Sequence, residues 1–530
     1  MDPIWLTVAL LLGLTARSVG LPPLVGFLLA GFALDALGVQ AGEMLGQIAD
    51  LGVTLLLFTI GLKLRPQTML RPEIWAGASL HILLTVLLFG AGIFGLSAIG
   101  FSLFAALDLR TSLLIAFALS FSSTVFAVKV LEEKGEMSSL HARVSIGILV
   151  MQDIFAVIFI ALSTGKIPSL WALALPVALF AIRPLLGFLL DRCGHGELLI
   201  LFGFAAALVV GYAGFELFDV KGDLGALVVG ALIAAHPKAS ELSKTLFGFK
   251  DLFLVGFFLQ IGLAGDPTLQ CLGVAALLAV LVSIKVGLFF LLLTRFKLRA
   301  RTATLATLSL ANYSEFGLLV EAIAVSNGWI AGEWLVIIAL ALSFTFILAS
   351  PLNAVAGAIY ERFAATLHRF ETATRLPDDQ PLDPGDAEIF IFGMGRVGTG
   401  AYDEMRARHG EVVLGIDCDA QEVEKQREAG RKVILDDAAD PDFLERVRST
   451  SDGRGRIVML TLPVHAANLY AVRRLADWRF SGIVAATARF PDEVRELEEA
   501  GAQAAFDLYA EAGSGFADHV CAQIQRAAEG

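Results

Sequence analysis

Charged residues are scarce in this chain: they make up 17% of its 530 positions, whereas hydrophobic residues make up 56%. Soluble domains usually carry about a quarter charged residues. The scarcity excludes an ordinary water-soluble protein and indicates that most of the chain is built for the lipid bilayer. Basic residues are also outnumbered, and the net charge of −12 argues against nucleic acid as a partner.

Cysteine is rarer still. The four cysteines, Cys193, Cys271, Cys418 and Cys521, share no spacing typical of a metal site or a disulfide framework. A reducing cytosol fits this usage. The start, MDPIWLTVALLLGL, has no basic residue before its apolar run, so we interpret it as a first membrane helix and not as a cleaved signal.

The charges that do occur are unevenly distributed. Residues 1–370 contain 22 basic and 22 acidic residues, so the whole net charge lies in residues 371–530, with 18 and 30. Proline and acidic residues interrupt the apolar pattern between the two parts, as in a linker. We therefore predict a transmembrane domain at 1–362, a linker at 363–386 and a soluble domain at 387–530.

The apolar stretches are long enough to cross a bilayer as helices. A bilayer core of about 30 Å needs about 20 helical residues. This length selects thirteen spans, near 3–19, 22–38, 47–63, 74–98, 111–131, 143–163, 168–189, 197–217, 222–236, 249–264, 270–294, 301–326 and 331–360.

The loops between these spans predict the orientation. With the C-terminus inside and the N-terminus outside, 17 loop lysines and arginines are internal. Only Arg110, Lys166 and Lys221 are external. Because positive loop residues stay on the cytoplasmic side, we predict that the acidic C-terminal domain is cytoplasmic.

A few ionisable or strongly polar residues remain inside the spans: Gln152, Asp153, Lys285, Glu315 and Glu321. Each costs at least a few kcal/mol at mid-bilayer, so each needs a partner, a water-filled cavity or a function. Asp153 is the only charge between Arg143 and Lys166. Such a carboxyl can exchange a proton for a cation, or it can hydrogen-bond a neighbouring helix and never titrate. Lys285 can pair with a buried carboxylate, be mostly neutral through a lowered pKa, or extend toward the inner surface near Arg295.

Two spans are interrupted by small polar residues. The fifth contains Ser120, Ser122, Ser123 and Thr124, and the twelfth contains Asn312, Ser314, Glu315 and Gly317. Such interruptions can free backbone groups to line an ion site, or they can be polar packing seams. Each is the fifth span of its half, which predicts an inverted repeat with two broken, crossing helices, close to Asp153 and Lys285.

The soluble part begins with a short apolar strand that runs into a glycine motif. Gly393, Gly395 and Gly398 stand in GxGxxG spacing around Met394, Arg396 and Val397. A second strand ends at Asp417, 24 positions after Gly393, where a carboxylate suits the ribose hydroxyls of an adenine nucleotide.

Four further strands, at RKVILD, GRIVMLTL, SGIVAATA and AQAAFD, complete a predicted α/β Rossmann-like domain. A domain of this size has no room for a substrate domain, so we predict nucleotide binding for regulation, with no enzymatic activity.

Several segments together resemble the Kef-type monovalent cation:proton antiporters of the wider cation:proton antiporter group. The matching segments are LPPLVGFLLAGFAL at 21–34, LGVTLLLFTIGLKLRP at 51–66, SFSSTVFAVKVLEEKGE at 120–136, GILVMQDIFAVIF at 147–159, FKDLFLVGFFLQIGL at 249–263 and SEFGLLV at 314–320.

The resemblance implies a potassium:proton antiporter of the bacterial inner membrane, a homodimer in which cation and proton compete for Asp153 with Gln152 beside it. We expect Ser122, Ser123, Thr124, Asn312, Glu315 and Lys285 to complete the ion site. One departure from the family pattern is the pair Lys63 and Arg65, at an inner loop where relatives usually carry an acidic residue.

The soluble domain resembles the KTN/RCK (TrkA-N) domains, which bind NAD(H) or AMP-like adenine nucleotides and gate potassium channels and Kef systems. Gly393, Gly395, Gly398 and Asp417 match that motif, whereas Asp436 and Asp437 stand where relatives often have Gly-Asp. Some Kef proteins are held closed by glutathione, but the residues responsible have no identifiable match here.

Three other functions compete with potassium:proton antiport. Sodium:proton exchange fits the same scaffold, because selectivity depends on cavity size and ligand number. A nucleotide-gated channel would need no obligatory protonation, so Asp153 favours antiport. A membrane-tethered redox enzyme would need a catalytic constellation that the sequence does not contain.

Overall fold

The computed structural model describes residues 3–19, 23–39, 42–63, 70–134, 136–137, 139–163, 175–218, 220, 222–263, 267–379, 386–435, 457–477 and 479–529. The chain forms two compact units. They are Met1–Ala127 with Val144–Thr372, and Val128–Arg143 with Ala373–Gly530.

Between Pro3 and Leu367 the described residues form helices joined by turns and short loops. The helices are α1 (Pro3–Ser18), α2 (Pro23–Ala36), α3 (Glu43–Lys63), α4 (Pro72–Ala98), α5 (Leu109–Ser120), α6 (Thr124–Lys134), α7 (Leu140–Ser163), α8 (Leu175–Arg192), α9 (Glu197–Glu216, with a π-helical middle, Ala205–Ala213), α10 (Gly222–Ile233), α11 (Ala239–Leu263), α12 (Leu269–Arg295), α13 (Ala300–Ser309), α14 (Glu315–Ser326), α15 (Glu333–Ala354) and α16 (Ala356–Leu367).

Local sequence explains several of the helix boundaries. The Asp108 side chain accepts a hydrogen bond from the Thr111 N–H, and the Thr111 hydroxyl accepts one from the Asp108 N–H, which forms a capping box at the start of α5. The Thr268 hydroxyl caps α12 by accepting a hydrogen bond from the Cys271 N–H. These side chains satisfy backbone donors that would otherwise have no partner at a helix start.

The helices have the length and surface of membrane segments. Among the described residues, seven helical stretches are long and apolar enough to cross a bilayer, and four shorter helices are also apolar. The exposed side chains of α4 include Leu83, Leu84, Leu87 and Leu88. A surface of this kind is stable against lipid and unfavourable in water.

Small residues let some of these helices pack closely. A Cβ at Gly31 in α2 would lie 2.6 Å from the Cα of Gly262 in α11. Only glycine at both positions permits this approach, which is typical of helix packing in membranes.

The predicted spans and the helices differ at several boundaries. The predicted span 331–360 is two helices, since α15 ends at Ala354 and α16 begins at Ala356. The span predicted at 168–189 corresponds to α8, and residues 168–174 lie outside the described residues.

The boundary between the predicted parts also looks different in the structure. α16 continues to Leu367, so the first residues of the predicted linker are helical. Glu371 then accepts a hydrogen bond from the Ala300 N–H at the start of α13. This bond ties the end of the helical region to its own unit.

The C-terminal region is an α/β domain built on one parallel sheet. Its strands are β1 (Ile389–Phe392), β2 (Val413–Asp417), β3 (Val433–Leu435), β4 (Ile457–Leu460), β5 (Ile483–Ala488) and β6 (Ala504–Asp507). Its helices are α17 (Arg396–His409), α18 (Ala420–Glu428), α19 (His465–Asp477), α20 (Pro491–Glu499) and α21 (Leu508–Glu529). The six predicted strands are confirmed.

The sheet order is β3-β2-β1-β4-β5-β6, with every pair parallel. Strand β1 is buried on both faces, as expected for a central parallel strand that helices cover on each side. The order reverses between β1 and β4. In such sheets, ligands bind beyond the carboxyl ends of the strands at the reversal, and there the chain places its glycine motif.

Candidate functional site

Both polar interruptions predicted from the sequence are real breaks in helices. The first separates α5 from α6 at residues 121–123, and the second separates α13 from α14 at residues 310–314. Each break leaves backbone N–H and C=O groups without helical partners inside an apolar region. Such groups must be satisfied by side chains or by a ligand.

Gln152 bridges the first break. Its Oε1 accepts a hydrogen bond from the Ser122 N–H at 2.9 Å, and its Nε2 donates to the Ser120 carbonyl at 3.2 Å. The amide therefore satisfies one donor and one acceptor from opposite sides of the break. Because Gln152 is fully buried in α7, it also fixes that helix against the break.

The two breaks contact each other directly. Ser122 Oγ donates to the Leu310 carbonyl at 2.9 Å, and the Ser123 N–H donates to Asn312 Oδ1 at 2.7 Å. All four residues are buried. We call this region, residues 121–123 and 310–314, the helix crossing.

Lys285 lies inside the helix crossing, with its side chain fully buried. Its Nζ donates to the carbonyls of Phe121 at 2.5 Å, Asn312 at 3.0 Å and Leu119 at 3.4 Å. The amine does not extend to the surface, and it has no carboxylate partner among the described residues, so two of the three interpretations from the sequence are not met. It binds the carbonyl end of α5, where the helix dipole favours a cation.

Asp153 lies on the other side of the first break. Its Oδ2 accepts a hydrogen bond from Thr124 Oγ1 at 3.1 Å, and its side chain is 1% exposed. Thr124 is the first residue of α6 and is partly exposed. The carboxylate is thus held at the start of α6, where the helix dipole favours negative charge.

Glu315 is the first residue of α14, after the second break, as Thr124 is the first residue of α6 after the first break. It is buried in the first turn of α14, next to Ser314, whose hydroxyl caps that helix through the Phe316 N–H. The crossing therefore has an acidic side chain at each of two helix starts and a cation at a helix end. This pattern compensates the partial charges of the broken helices.

The structure adds two residues that the sequence reasoning missed. His81 in α4 is buried and stacks on Phe289, and its Nε2 lies 3.4 Å from the Lys285 carbonyl oxygen. Tyr313 donates from its hydroxyl to the Leu278 carbonyl at 2.6 Å, and the Lys285 Nζ lies over its ring. A lone histidine in an apolar span was the available signal for His81.

The glycine motif of the C-terminal domain forms a tight turn between β1 and α17. Gly393 has a φ of +89°, which favours glycine. A Cβ at Gly398 would overlap the Gly393 carbonyl oxygen and lie 2.7 Å from Thr461 Oγ1. Gly395, in contrast, has no atom within 4 Å of where its Cβ would be.

This turn leaves an open surface at the start of α17. Gly395, Arg396 and Val397 are exposed, whereas Met394 and Gly398 are buried beneath them. No side chain caps the helix start. Backbone N–H groups at an uncapped helix start bind anions, and the space over Gly395 admits one.

Asp417, at the end of β2, lies against this turn. Its Oδ2 accepts the Met394 N–H at 2.7 Å, and its Oδ1 accepts the Asp419 N–H at 2.8 Å. Burial raises the pKa of the Asp417 carboxyl above its ordinary value, and the charges of Asp419 and Glu422 act in the same direction. The two backbone N–H groups oppose the shift.

Two predicted nucleotide-site residues, Asp436 and Asp437, lie outside the described residues. Two polar side chains that were not predicted support the glycine turn. Thr461 Oγ1 donates to the Gly393 carbonyl at 2.6 Å, and Gln426 Nε2 donates to the Met394 carbonyl at 3.2 Å. No sequence signal distinguishes these two from other polar residues of the domain.

Comparison with known proteins identifies both parts of the chain. The transmembrane sodium/hydrogen exchanger family matches residues 6–354, and the TrkA-N domain family matches residues 389–507. The chain is 27% identical to the putative cation/proton antiporter YbaL of Escherichia coli (strain K12) over 94% of its own length and 92% of the relative.

A second relative is the glutathione-regulated potassium-efflux system protein KefC of Enterobacter sp. (strain 638). It is 26% identical over 94% of this chain and 81% of its own length. Among solved structures, the sodium proton antiporter MjNhaP1 of Methanocaldococcus jannaschii covers 69% of this chain and 96% of its own, with 15% identity and a TM-score of 0.47.

Proposed function

Because the chain belongs to the sodium/hydrogen exchanger family of cation:proton antiporters, we propose that it exchanges potassium ions for protons across the bacterial inner membrane. The Asp153 carboxylate binds either ion, and nucleotide binding to the C-terminal domain gates the exchange. We assign potassium as the transported ion because the relative KefC is named a potassium-efflux system protein.

The observation that carries the proposal is the setting of Asp153. It is a buried carboxylate beside a helix break, and Thr124, which donates a hydrogen bond to it, is partly exposed. Burial of a negative charge is costly, so binding of a proton or a metal cation stabilises the carboxyl group there. A single carboxylate that binds either a proton or a cation supports the exchange of one cation for one proton.

The residues of the helix crossing hold this group in place. Gln152 and Asn312 use their amides to satisfy the broken backbone, and Lys285 neutralises the carbonyl end of α5. Ser122, Ser123 and Thr124 link the two breaks and Asp153. Glu315 supplies a second acidic group across the crossing.

We further propose the topology expected from the sequence: thirteen spans, the N-terminus outside and the C-terminal domain in the cytoplasm. An interrupted helix recurs as the fifth span of each half, which supports an inverted repeat. Lysine and arginine concentrate in the loops assigned to the inside, which supports the orientation.

The glycine turn fits NAD(H) or an AMP-type adenine nucleotide. The backbone around Gly395 and the start of α17 would hold the phosphates, and Asp417 would accept the ribose hydroxyls with its remaining lone pairs. Binding there requires no chemistry, which fits a regulatory role.

A homodimer is also part of the proposal. Tyr509, Phe516, Val520 and Ile524 are exposed on α21 at spacings that place them on one helix face. A second copy of the domain can cover such a face with two-fold symmetry.

The test uses purified protein in proteoliposomes that contain a pH-sensitive dye. Addition of potassium to the outside should drive proton movement, and Asp153→Asn should abolish it while the charge-removing control Glu333→Gln retains it. Sodium in place of potassium tests the alternative sodium:proton exchange. Cation flux that survives Asp153→Asn unchanged would contradict the site assignment, and flux that needs no proton would indicate a channel.

A further inference from the structure

One buried acid is not used by the proposed mechanism. Glu321 lies in α14, six residues beyond Glu315, and its side chain is fully buried. Among the described residues, neither carboxyl oxygen has a hydrogen-bond partner. Glu321 therefore does not serve as a hydrogen-bonding contact between helices, which is the usual structural role of a polar residue in a membrane helix.

The face of α14 that carries Glu321 points toward α5. Gly317 lies one turn earlier on the same face, and a Cβ there would overlap the Ala118 carbonyl oxygen of α5. Between Ser112 and Ser120, α5 contains only apolar residues. No donor on that helix is available to the carboxyl.

The charged groups on the helices around Glu321 are few. α5 carries Arg110 at its exposed start, after the capping Asp108, and α15 carries Glu333 at its exposed start. On α14 itself the other charge is Glu315, in the helix crossing. None of these forms a salt bridge with Glu321 in the described part of the chain.

Glu321 lies between the crossing and an exposed end of its helix. It is the last residue of a continuous buried stretch, and Ser326 to Trp329 are exposed. Ser326 lies five positions beyond Glu321 along the helix, a rise of about 7.5 Å. An acid at this depth is close enough to the surface for protons to reach it through small openings of the helix end.

We propose that Glu321 is a second proton-binding group of the transport cycle, a relay between the end of α14 and the helix crossing. This inference rests on the proposed function. The carboxylate accepts a proton from hydronium at the Ser326 end, which forms its O–H bond and leaves water, and it passes that proton to the Asp153 carboxylate at the helix crossing when the surrounding helices rearrange. In the conformation described here the neutral acid is the form that fits, since an ionised, unpartnered carboxylate at this depth costs several kcal/mol.

The test compares the wild type, Glu321→Gln and the exposed control Glu333→Gln. Infrared difference spectra of the reconstituted protein should show a protonated carboxyl C=O band that Glu321→Gln lacks, and the band should disappear as the pH rises. Exchange by Glu321→Gln should be slower by about a hundredfold, the lower end of what a positioned proton-transfer group contributes, and its pH profile should lose one titrating step. The potassium concentration for half-maximal rate should stay the same.

A second variant, Glu321→Met, fills a similar volume without polar atoms and should give the same altered pH profile if Glu321→Gln folds poorly. A band that never responds to pH, no band at all, or a wild-type pH profile in both variants would overturn the proposal. Failure of the proposed function itself would look different, because proton movement would then survive Asp153→Asn whatever the infrared spectra show.

Discussion

At the scale of single residues, Lys285 explains how a cation is tolerated in the apolar part of the molecule. An ammonium group has three N–H donors and no acceptor. The two breaks leave carbonyl oxygens that lack helical partners, and Lys285 donates to three of them. Charge and backbone requirements therefore match without a carboxylate.

Replacement of this side chain should destabilise the crossing. In Lys285→Met the three carbonyls lose their donor, and each buried acceptor left unpaired costs about 1–3 kcal/mol. We expect a clearly lower midpoint in thermal unfolding of the detergent-purified protein and loss of transport. Lys297→Met, at an exposed lysine, is the control; equal stability of both variants would contradict the role assigned to Lys285.

The raised pKa of Asp417 predicts that domain stability and NADH affinity change in opposite directions with pH. Because burial raises the pKa of this carboxyl in the folded domain, the folded state holds the proton more tightly than the unfolded chain. Stability of the nucleotide-free domain should therefore fall as the pH rises from the ordinary aspartate value of about 3.9 to the raised pKa. NADH affinity should rise over the same window, since the ionised carboxylate accepts the ribose hydroxyls.

Fluorescence titration of NADH at several pH values checks the predicted rise in affinity. Thermal unfolding over the same pH range checks the predicted fall in stability. Asp417→Asn, which cannot ionise, should bind NADH weakly at every pH. An affinity that does not change across the window in the wild type would exclude a ribose-binding role for this carboxylate.

At the scale of elements, the breaks and the glycine turn share one principle. Each exposes backbone groups at a helix end and then limits what can approach them. In the crossing, Gln152 and Asn312 fill the space with amides. At α17 the space over Gly395 stays open, so a ligand can use the free N–H groups.

Three alanine substitutions around α17 should therefore have different effects on domain stability and on NADH binding. Gly398→Ala introduces an overlap with Gly393 and Thr461 and should destabilise the domain by about 1–3 kcal/mol. Gly395→Ala has space in the nucleotide-free protein and should cost about 1 kcal/mol, because alanine is a poorer N-cap than glycine, but it should weaken NADH binding. Gly400→Ala, also without neighbours, should stabilise the helix by up to about 1 kcal/mol and leave binding unchanged.

Thermal unfolding and NADH titration of the full-length variants separate these effects. If Gly395→Ala binds NADH as tightly as Gly400→Ala does, the phosphates do not approach the backbone at this turn.

At the scale of the whole molecule, the chain is adapted to two solvents. Its net charge lies entirely in residues 371–530, and most of its exposed large apolar side chains lie on the N-terminal helices. In the proposed orientation, the charged domain can bind cytoplasmic nucleotides while the apolar helices lie in the lipid bilayer.

Nucleotide should therefore change the transport rate of the intact protein. We expect NADH or AMP, added on the side of the C-terminal domain, to change potassium-driven proton movement by about fivefold or more, within the usual range of coupling between sites. The change should be much smaller in Asp417→Asn, because that variant binds nucleotide poorly. Rates that are identical with and without both nucleotides in the wild type would refute gating.

The sequence by itself determined the local features. Apolar stretches of helical length, polar runs at 120–124 and 312–317, and six short strands around GxGxxG each follow from residues close together in the chain. Such features depend on hydrogen bonds and solvation within one segment, so composition and spacing suffice to predict them. The sequence also predicted Asp417 at the end of the second strand, at the spacing from Gly393 that the nucleotide-binding motif requires.

Only the tertiary structure decided which distant groups meet. Lys285 contacts Leu119 and Phe121, and Gln152 bridges the first break. Within the described part of the chain Glu321 has no hydrogen-bond partner, and the neighbouring stretch of α5 is apolar. These outcomes depend on how helices far apart in sequence pack, and the free-energy differences between alternative packings are spread over many weak contacts. No single residue records that choice, so the partners of a buried charge are known only once the chain has folded.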